Sequence, residues 1–356
     1  MPDTAPANTL SAESLERLRP WLATHVPGAD GVITAEKFPG GQSNPTYKLS
    51  VNGTPRFVLR KKPDGVLLAS AHAVEREYRV TKALADTAVP VARPYTLCED
   101  SSLIGTPFFV MEYKEGRNFW DATLPEQSPE ERRAIYLGLA LTMAALHQVD
   151  PAAVGLADYG KPGDYFARQI SRWTKQYRAT QTGEIAALER LIEWLPANNP
   201  GLEESRIVHG DLRSDNLIFH KTEPKVIAVI DWELSTLGHP LADLAQYALT
   251  WRWPPKDYRG LAGLNLAELG IPTQAQFLQA YAEATDSAPV DPTVWRFATA
   301  FACFRNAAIR QGVYKRALDG NASSTQAEIH GLRAGIVADL GWRIACGEDD
   351  ATIAGG

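Results

Sequence analysis

Apolar positions recur along this chain with two spacings, which predict a mixed first part and a helical second part. Leu15, Leu18, Leu22 and Val26 follow the spacing of one helix face and predict a helix over residues 11–26. Runs rich in β-branched and aromatic residues predict strands at 33–37, 46–51, 56–62 and 108–113. Helical spacing predicts the remaining helices at 72–84, 129–147, 164–179, 184–195, 241–253, 273–285, 292–318 and 324–344. The pattern therefore indicates an α+β chain whose C-terminal half is helical.

One stretch, residues 207–233, interrupts the helical part. It begins with an apolar pair and a polar loop that contains Asp211 and Asn216, and it continues as two short apolar runs separated by a Glu-Pro turn. The second run ends on Asp231. A carboxylate at the end of a buried strand is costly unless a cation or a hydrogen-bond donor satisfies it. We therefore predict that linked strands bring Asp211, Asn216 and Asp231 to one edge.

Two carboxylates and one amide at a common edge are the groups that phosphoryl transfer requires. In kinases an Asp and an Asn hold Mg²⁺, and a second Asp accepts the proton of the attacking hydroxyl. We predict that Asp211 is this catalytic base and that Asn216 and Asp231 bind the metal. Glu233 follows Asp231 by two positions, so on a strand it would point to the same side and reach the metal. Asp215 is interpreted as a loop carboxylate, because Asp and Asn in such loops are usually turn formers.

The motifs of this stretch resemble those of a known superfamily. HGDLRSDN at 209–216 is similar to the HGDxxxxN of aminoglycoside phosphotransferases and choline kinases, and IDWELSTLGHPLADLA at 230–245 resembles their second block. The residues of these two motifs also resemble those of the kinase-like domain fused to some acyl-CoA dehydrogenases. The resemblance covers roughly residues 30–260 and implies an α+β, protein-kinase-like fold. An N-terminal antiparallel-sheet lobe at 1–115 would bind the nucleotide, and a mostly helical C-terminal lobe at 116–356 would carry the catalytic and substrate residues.

In the first lobe the resemblance implies a site for ATP and Mg²⁺. The loop between the first two strands resembles the nucleotide loop of kinases, whose backbone N–H groups approach phosphate. Its candidate residues are Gly40, Gly41, Ser43 and Asn44. A GG pair between strands is also typical of a simple hairpin turn.

The next strand supplies a basic residue for the phosphates. Arg60 stands where kinases have a Lys, and Arg binds phosphate bidentately. Lys61 and Lys62 remain alternatives for this role. The partner carboxylate is expected on the following helix, where Glu77 matches the family position better than Glu75.

Further roles follow from the same resemblance. Met111, Glu112 and Tyr113 would form the linker whose backbone binds adenine, although an aromatic-rich strand is usually ordinary core. Asp243 would brace the catalytic loop. His209 is interpreted as structural, through hydrogen bonds to the loop backbone.

The C-terminal helices of the resembling family form the acceptor pocket. The predicted helix at 292–318 contains basic residues and no acid; the basic residues are Arg296, Arg305, Arg310, Lys315 and Arg316. A site for a polycationic aminoglycoside should present carboxylates, so we predict an anionic or acyl-type substrate such as a hydroxy acid or hydroxyacyl-CoA. The candidate pocket residues are Trp251, Arg252, Tyr281 and Arg305. The alternatives are a solvated basic face and aromatic residues that belong to the core.

The leading hypothesis is therefore a small-molecule kinase that moves the γ-phosphoryl group of ATP to a hydroxyl. An aminoglycoside or other antibiotic phosphotransferase and a catalytically inert nucleotide-binding module are the alternatives. A protein kinase is less favoured, because HGD replaces HRD, DWE replaces DFG and no APE follows.

Composition narrows the remaining possibilities. The formal net charge of −6 gives no basic footprint for nucleic acid, and no apolar run is long enough to span a membrane. The three cysteines, Cys98, Cys303 and Cys346, form no CxxC pair, so neither a disulfide framework nor a zinc site is indicated. We expect a cytoplasmic enzyme whose partner is a small-molecule hydroxyl substrate. The oligomeric state is not predicted.

Overall fold

The computed structural model describes residues 10–39, 44–64, 73–161, 163–319 and 327–348. Contacts group the chain into two units. Unit 1 contains Met1–Asn118 and Asn216–Ser235, and unit 2 contains Phe119–Asp215 and Thr236–Gly356. The predicted division into lobes at 1–115 and 116–356 stays a prediction.

The described residues form both strands and helices. The strands are β1 (Ile33–Lys37), β2 (Thr46–Val51), β3 (Thr54–Lys61), β4 (Pro94–Cys98), β5 (Phe108–Glu112), β6 (Arg206–Val208), β7 (Leu217–Phe219), β8 (Val226–Val229) and β9 (Thr236–Gly238). The helices are α1 (Ala12–His25), α2 (Val74–Leu84), α3 (Pro129–Gln148), α4 (Tyr165–Thr180), α5 (Ala186–Ala197), α6 (Leu241–Ala248), α7 (Pro255–Tyr258), α8 (Leu266–Leu269), α9 (Gln274–Thr285), α10 (Pro292–Leu318) and α11 (Ala327–Ala345). Short 3₁₀ helices span Ser214–Asn216, Trp232–Leu234 and Leu249–Trp251.

Unit 1 is built on an antiparallel sheet with strand order β1-β2-β3-β5-β4. Asn52 and Gly53 join β2 to β3, and their φ angles of 50° and 82° suit a two-residue hairpin turn. Tyr47, Leu49 and Val51 alternate along β2 and are buried in a core shared with α1. In this strand order β3 is the central strand, paired with β2 on one side and β5 on the other.

The hairpin of β7 and β8 also belongs to unit 1. Leu217 pairs with Val229, and the N–H of Ile230 donates to the carbonyl oxygen of Asn216 over 2.9 Å. The N–H of Val229 donates to the carbonyl oxygen of Pro90 over 2.8 Å, which attaches the hairpin to the preceding part of the unit. The open end of the hairpin therefore carries Asn216 on one side and the residue after Ile230 on the other.

Unit 2 is organised around α10, which packs against α4, α5, α6 and α11. Asp291 caps the start of α10 by accepting two backbone hydrogen bonds. Phe297 and Phe301 of α10 meet Phe166 of α4, with ring centroids 5.2 and 5.1 Å apart. In the described part of the chain, no helix is both long and apolar enough to cross a membrane.

Some predicted elements are wrong in detail. The helix predicted over 241–253 is interrupted, since α6 covers its first part and a 3₁₀ turn follows. The strand assumed between Asp231 and Glu233 does not form, because β8 ends at Val229 and a 3₁₀ helix begins at Trp232. The pairing of β6 with β9 was not predicted, because three residues show too little periodicity to identify β9.

Candidate active site

The guanidinium of Arg60 lies among acidic side chains of unit 1. Its Nε lies 2.8 Å from Oε2 of Glu77, and its Nη2 lies 2.7 Å from Oδ1 of Asp231. Oε2 of Glu233 is 3.9 Å from the same Nη2. Glu77 is buried and also accepts a 2.7 Å hydrogen bond from Nδ2 of Asn44. One guanidinium thus bridges a carboxylate of α2 and the carboxylate that follows β8.

The two lysines that follow Arg60 have other partners. Nζ of Lys61 lies 2.7 Å from Oδ1 of Asp64, and Lys62 pairs with Glu75. Successive side chains of a strand leave it on opposite faces, so Lys61 points away from the face of Arg60. Lys62 follows the end of β3 and pairs with a different carboxylate of α2, and the basic residue that meets the buried α2 carboxylate is Arg60.

The charges of this cluster depend on one another. Burial acts to lower the pKa of Arg60, but the carboxylates of Glu77, Asp231 and Glu233 raise it above its ordinary value. Burial raises the pKa of the Glu77 carboxyl, while Arg60 and the hydrogen bond from Asn44 oppose that rise. A buried carboxylate without its cation would be strongly unfavourable.

The predicted metal ligands Asn216 and Asp231 lie at the open end of the β7–β8 hairpin. Asp231 has a left-handed backbone, with φ 66° and ψ 58°, which is uncommon outside glycine. Its side chain is 38% exposed. Glu233, predicted on a strand, lies instead on the 3₁₀ helix that follows.

These donors suit one kind of metal site. Mg²⁺ prefers oxygen ligands and is usually held by one or two carboxylates together with substrate phosphates. Within the described residues, no group of three or more His, Cys, Asp or Glu side chains is arranged to hold a metal ion. The carboxylate of Asp231 and the amide oxygen of Asn216 are ligands of the kind that Mg²⁺ prefers.

The predicted nucleotide loop is only partly described. Gly40, Gly41 and Ser43 lie outside the described residues. Asn44 is 1% exposed, and its amide donates to Glu77. Asn44 therefore helps to hold the Glu77 carboxylate that pairs with Arg60.

The predicted adenine linker lies at the end of β5. Met111 and Glu112 belong to that strand, and Tyr113 follows it. The N–H of Glu112 donates to the carbonyl oxygen of Arg93 over 2.9 Å, and the N–H of Tyr113 donates to that of Arg56 over 3.0 Å. Because these two donors are used within unit 1, adenine recognition by this linker requires other backbone groups.

In unit 2, Asp243 fixes the backbone ahead of the predicted base. Its Oδ2 accepts from the N–H of His209 over 2.7 Å, and its Oδ1 accepts from the N–H of Gly210 over 2.8 Å. Nδ1 of His209 in turn accepts from the N–H of Asp211 over 3.3 Å. Nε2 of His147 lies 3.3 Å from Oδ2 of Asp243. A single buried carboxylate thus orients the loop that carries Asp211.

The surroundings of Asp243 favour its charged form in spite of its burial. Burial acts to raise its pKa, but the hydrogen bond with His147 and the interactions with His147 and His209 bring it below the ordinary value. The other ring nitrogen of His147, Nδ1, lies 2.9 Å from the hydroxyl of Tyr281. Tyr281, a predicted pocket residue, therefore takes part in this network.

Asp211 neighbours an ion pair that the sequence did not indicate. Nε of Arg213 lies 3.4 Å from Oδ1 of Asp211, and its Nη2 lies 3.0 Å from Oδ2 of Asp215. Burial raises the pKa of Asp215, Arg213 opposes that rise, and Asp211 adds to it. Asp215 is thus more than a turn former. The alternation of Asp, Arg and Asp at 211, 213 and 215 in the sequence could have indicated this ion pair.

The predicted acceptor residue Trp251 lies in the core of unit 2. It is buried, and its Nε1 donates to the carbonyl oxygen of Pro272 over 2.9 Å. The rings of Tyr136, Tyr247 and Phe277 lie 5.7, 5.5 and 5.3 Å from its own, between centroids. These surroundings favour a packing role.

The other acceptor candidates have different surroundings. Arg252 donates to Oε1 of Gln274. Arg305 is buried, and its guanidinium lies over the ring of Trp173 at 5.6 Å from the centroid. Their proposed contacts with substrate stay predictions.

A cavity of about 900 Å³ lies in unit 2 on the side of the Asp243 network. Its lining includes His147, Tyr281, Glu204 and His239, and it does not include Asp211. The cavity therefore adjoins the residues that support the loop rather than the predicted base.

A model of the family described as "Phosphotransferase enzyme family" matches residues 34–295. The chain belongs to this family. The matched range contains both the Arg60 cluster and the Asp243 network, so the two parts of the candidate site lie in the shared region of these phosphotransferases.

Relatives of this phosphotransferase include longer proteins. Acyl-CoA dehydrogenase family member 10 of Mus musculus is 46% identical over 354 residues, which are 98% of this chain and 33% of that protein. The chain also spans less than half the length of the acyl-CoA dehydrogenase family member 11 proteins that it matches. The predicted relationship to the kinase-like part of such proteins is confirmed.

Solved structures agree with the fold of a phosphotransferase. A Ralstonia eutropha protein solved as a candidate aminoglycoside phosphotransferase is 48% identical, with a TM-score of 0.85 over 93% of this chain and 98% of that one. A thermostable mutant of aminoglycoside phosphotransferase APH(4)-Ia, in ternary complex with ADP and hygromycin B, has a TM-score of 0.60 at 16% identity, over 91% and 97% of the two chains. The predicted protein-kinase-like fold, with an antiparallel sheet and a helical C-terminal part, is confirmed.

Proposed function

We propose that this phosphotransferase moves the γ-phosphoryl group of ATP to a hydroxyl group of a small molecule, with Mg²⁺ as cofactor. The observation that carries the proposal is the contact of Arg60 with both Glu77 and Asp231. Kinases pair a basic residue of the third strand with a helix Glu to hold the phosphates, and a nearby Asp binds Mg²⁺. The ADP of the APH(4)-Ia complex supports the same use of nucleotide.

Each residue of the candidate site has a proposed task in this reaction. Asp211 accepts the proton of the acceptor hydroxyl while the oxygen of that hydroxyl attacks the γ-phosphorus, the bond from the γ-phosphorus to the bridging β-phosphate oxygen breaks, and ADP leaves. Asp243 with His209 keeps the loop of Asp211 in place. Asn216 and Asp231 would hold Mg²⁺, which neutralises charge on the phosphates when it is bound. Transfer is direct, because the reaction needs no nucleophile other than the substrate.

The remaining nucleotide contacts belong to the proposed N-terminal lobe, 1–115. Arg60 would bind phosphate oxygens, the loop at 40–44 would approach them through its backbone, and the linker at 111–113 would contact the base. Glu233 would reach the metal through water. The proposed C-terminal lobe, 116–356, would bind the acceptor.

We propose a hydroxy acid or a hydroxyacyl-CoA as the acceptor. The names of the longer relatives concern acyl-CoA chemistry, and α10 contains basic residues without an acid. An aminoglycoside is the second candidate, because a solved structure of the same fold contains hygromycin B. A polycation would be opposed by the charge of α10. A catalytically inert nucleotide-binding module is the third candidate.

The test is Mg²⁺-dependent release of ADP from ATP in the presence of hydroxyacyl-CoAs, short hydroxy acids, choline, homoserine and aminoglycosides. The control is Asp211→Asn, which should lower kcat by about 10²- to 10⁴-fold, as expected for loss of a general base. ATP binding should be retained by the variant.

Three outcomes decide between the candidates. Stimulation by an acyl or acid member that disappears in Asp211→Asn supports the proposal. Stimulation by aminoglycosides alone keeps the chemistry and removes the proposed acceptor class. ATP binding without turnover against every acceptor favours the inert module.

A further inference from the structure

Arg305 differs from the other buried charged side chains. Among the described Asp, Glu, Lys and Arg residues, Lys61, Glu77, Asp243 and Arg305 are buried. Lys61 pairs with a nearby Asp, Glu77 with Arg60 and Asn44, and Asp243 with its loop. No carboxylate or carbonyl oxygen of the described residues accepts a hydrogen bond from Arg305, which is 6% exposed. A buried cation without an acceptor is unfavourable in a protein that only has to fold.

The contact that Arg305 does make is with an indole. Its guanidinium lies 5.6 Å from the ring centroid of Trp173, and the guanidinium of Arg172 lies 5.4 Å from the same ring. The indole N–H of Trp173 already donates to Gln169 over 3.0 Å. A cation–π contact offsets part of the cost of burial, and it does not use the guanidinium N–H donors of Arg305.

Both arginines also act on the hydroxyl of Tyr165. Burial raises the pKa of the nearby Tyr165 hydroxyl, and Arg305, Arg172 and Arg168 act in the opposite direction. The carboxylate of Asp243 acts to raise the pKa of Tyr165. Asp243 already accepts hydrogen bonds from two backbone N–H groups. An anion from outside the chain would complement the charge of these arginines.

We propose that Arg305 and Arg172, both against the Trp173 ring, form an anion-binding subsite of unit 2 that holds a carboxylate or phosphate group of the acceptor. Arginine presents a planar set of N–H donors that matches both groups, and the indole holds the guanidinium in position. The assignment of this anion to the acceptor rests on the proposed function. Free hydroxy acids offer a carboxylate, and acyl-CoAs offer phosphates, so the two sources can be distinguished.

The test is calorimetric titration of the full chain, without ATP, with coenzyme A, 3-hydroxybutyrate and inorganic phosphate. We expect the wild-type protein to bind at least one of these anions, more weakly as salt is raised. Arg305→Met should weaken that binding about 10- to 100-fold, as expected for loss of hydrogen bonds to a charged group. Arg172→Met should have a smaller effect, because Arg172 is exposed.

A matched control is available in the same unit. The guanidinium of Arg190 lies over the ring of Trp342 at 5.6 Å, and Arg190 is exposed. Arg190→Met should therefore leave anion binding unchanged. Arg305→Lys keeps the charge and should retain part of the affinity.

Several outcomes would overturn the subsite. One is a wild-type protein that binds none of the three anions, and another is Arg305→Met with wild-type affinity. A structural role for Arg305 predicts that Arg305→Met lowers the thermal midpoint and leaves binding intact, whereas the subsite predicts the reverse. Because no ATP is present, loss of the subsite and absence of kinase activity are separate results. Binding of coenzyme A but not 3-hydroxybutyrate identifies phosphate as the recognised group, and the converse identifies carboxylate.

Discussion

Arg60 lies 2.7 Å from the carboxylate of Asp231, 171 positions later in the chain, while its Nε holds the buried Glu77. Removal of the guanidinium would leave Glu77 buried without its cation. We expect Arg60→Met to lower the free energy of unfolding by about 3–5 kcal/mol, as measured by urea denaturation.

The partner variants make this prediction specific. Glu77→Gln in the Arg60→Met background removes the unpaired charge and should recover most of the lost stability. Arg60→Lys keeps the charge but offers one nitrogen, so its loss should be smaller than that of Arg60→Met. Equal losses in the single and double variants would show that Glu77 does not depend on Arg60.

Asp243 is predicted to act on the reaction through the backbone of the catalytic loop. The N–H groups of His209 and Gly210 use different oxygens of Asp243, so in Asp243→Asn one of them faces an NH₂ group in place of its acceptor. We expect kcat to fall about 10- to 100-fold while the KM for ATP changes little, because a hydrogen bond to a charged group contributes about 1.5–3 kcal/mol.

Hydrogen exchange gives a readout of this role without turnover. The amides of His209 and Gly210 should exchange faster in Asp243→Asn, while those of the β2–β3 hairpin should exchange at the wild-type rate. Unchanged protection of both loop amides would contradict the bracing role of Asp243.

Trp251 distinguishes packing from substrate contact. Its ring lies in an aromatic cluster and its N–H is bonded to the carbonyl oxygen of Pro272, so Trp251→Ala should lower the free energy of unfolding by about 3–5 kcal/mol. Trp251→Phe should cost less and leave the KM for the acceptor unchanged. A raised acceptor KM with wild-type stability would instead establish Trp251 as a pocket residue.

Local patterns allowed much of unit 1 to be predicted. The strands at 33–37 and 46–51 have their predicted bounds, because alternation of apolar residues and an Asn-Gly turn specify them locally. The placement of Arg60 near Glu77 followed from the family resemblance rather than from periodicity. The contact of Arg60 with Asp231 could not be predicted from local patterns, because it depends on how elements distant in the chain pack.

The support of the catalytic loop shows the same limit. His147 meets Asp243 across 96 positions and Tyr281 across 134, and each lies on a helix whose spacing indicates only a buried face. A buried His or Tyr is common in cores, so no local signal assigned these two to a network. The 3₁₀ turn that carries Glu233 was missed for another reason, since the left-handed Asp231 ends the strand pattern abruptly.

We expect His239 to make the stability of the fold depend on pH. It is buried, its Nδ1 accepts from the N–H of Leu241 over 3.2 Å, and its Nε2 lies 3.8 Å from Oε2 of Glu204. Burial lowers the pKa of His239 to about 4, an effect that Glu204 opposes and His147 reinforces. The ordinary value is 6.5.

Because the folded pKa of His239 is depressed, its contribution to stability is complete above pH 6.5 and is lost as the pH falls through about 4. The unfolded chain takes up the proton first, and the difference between the two pKa values corresponds to at most about 3 kcal/mol. His239→Asn keeps an acceptor for the N–H of Leu241 but does not titrate. Urea unfolding at pH 7, 5.5 and 4 should therefore show a wild-type loss that exceeds the loss of the variant by up to this amount. Parallel losses in the two proteins would mean that other groups, such as the carboxylates, carry the acid sensitivity, and that His239 accepts a proton in the folded state as readily as in the unfolded one.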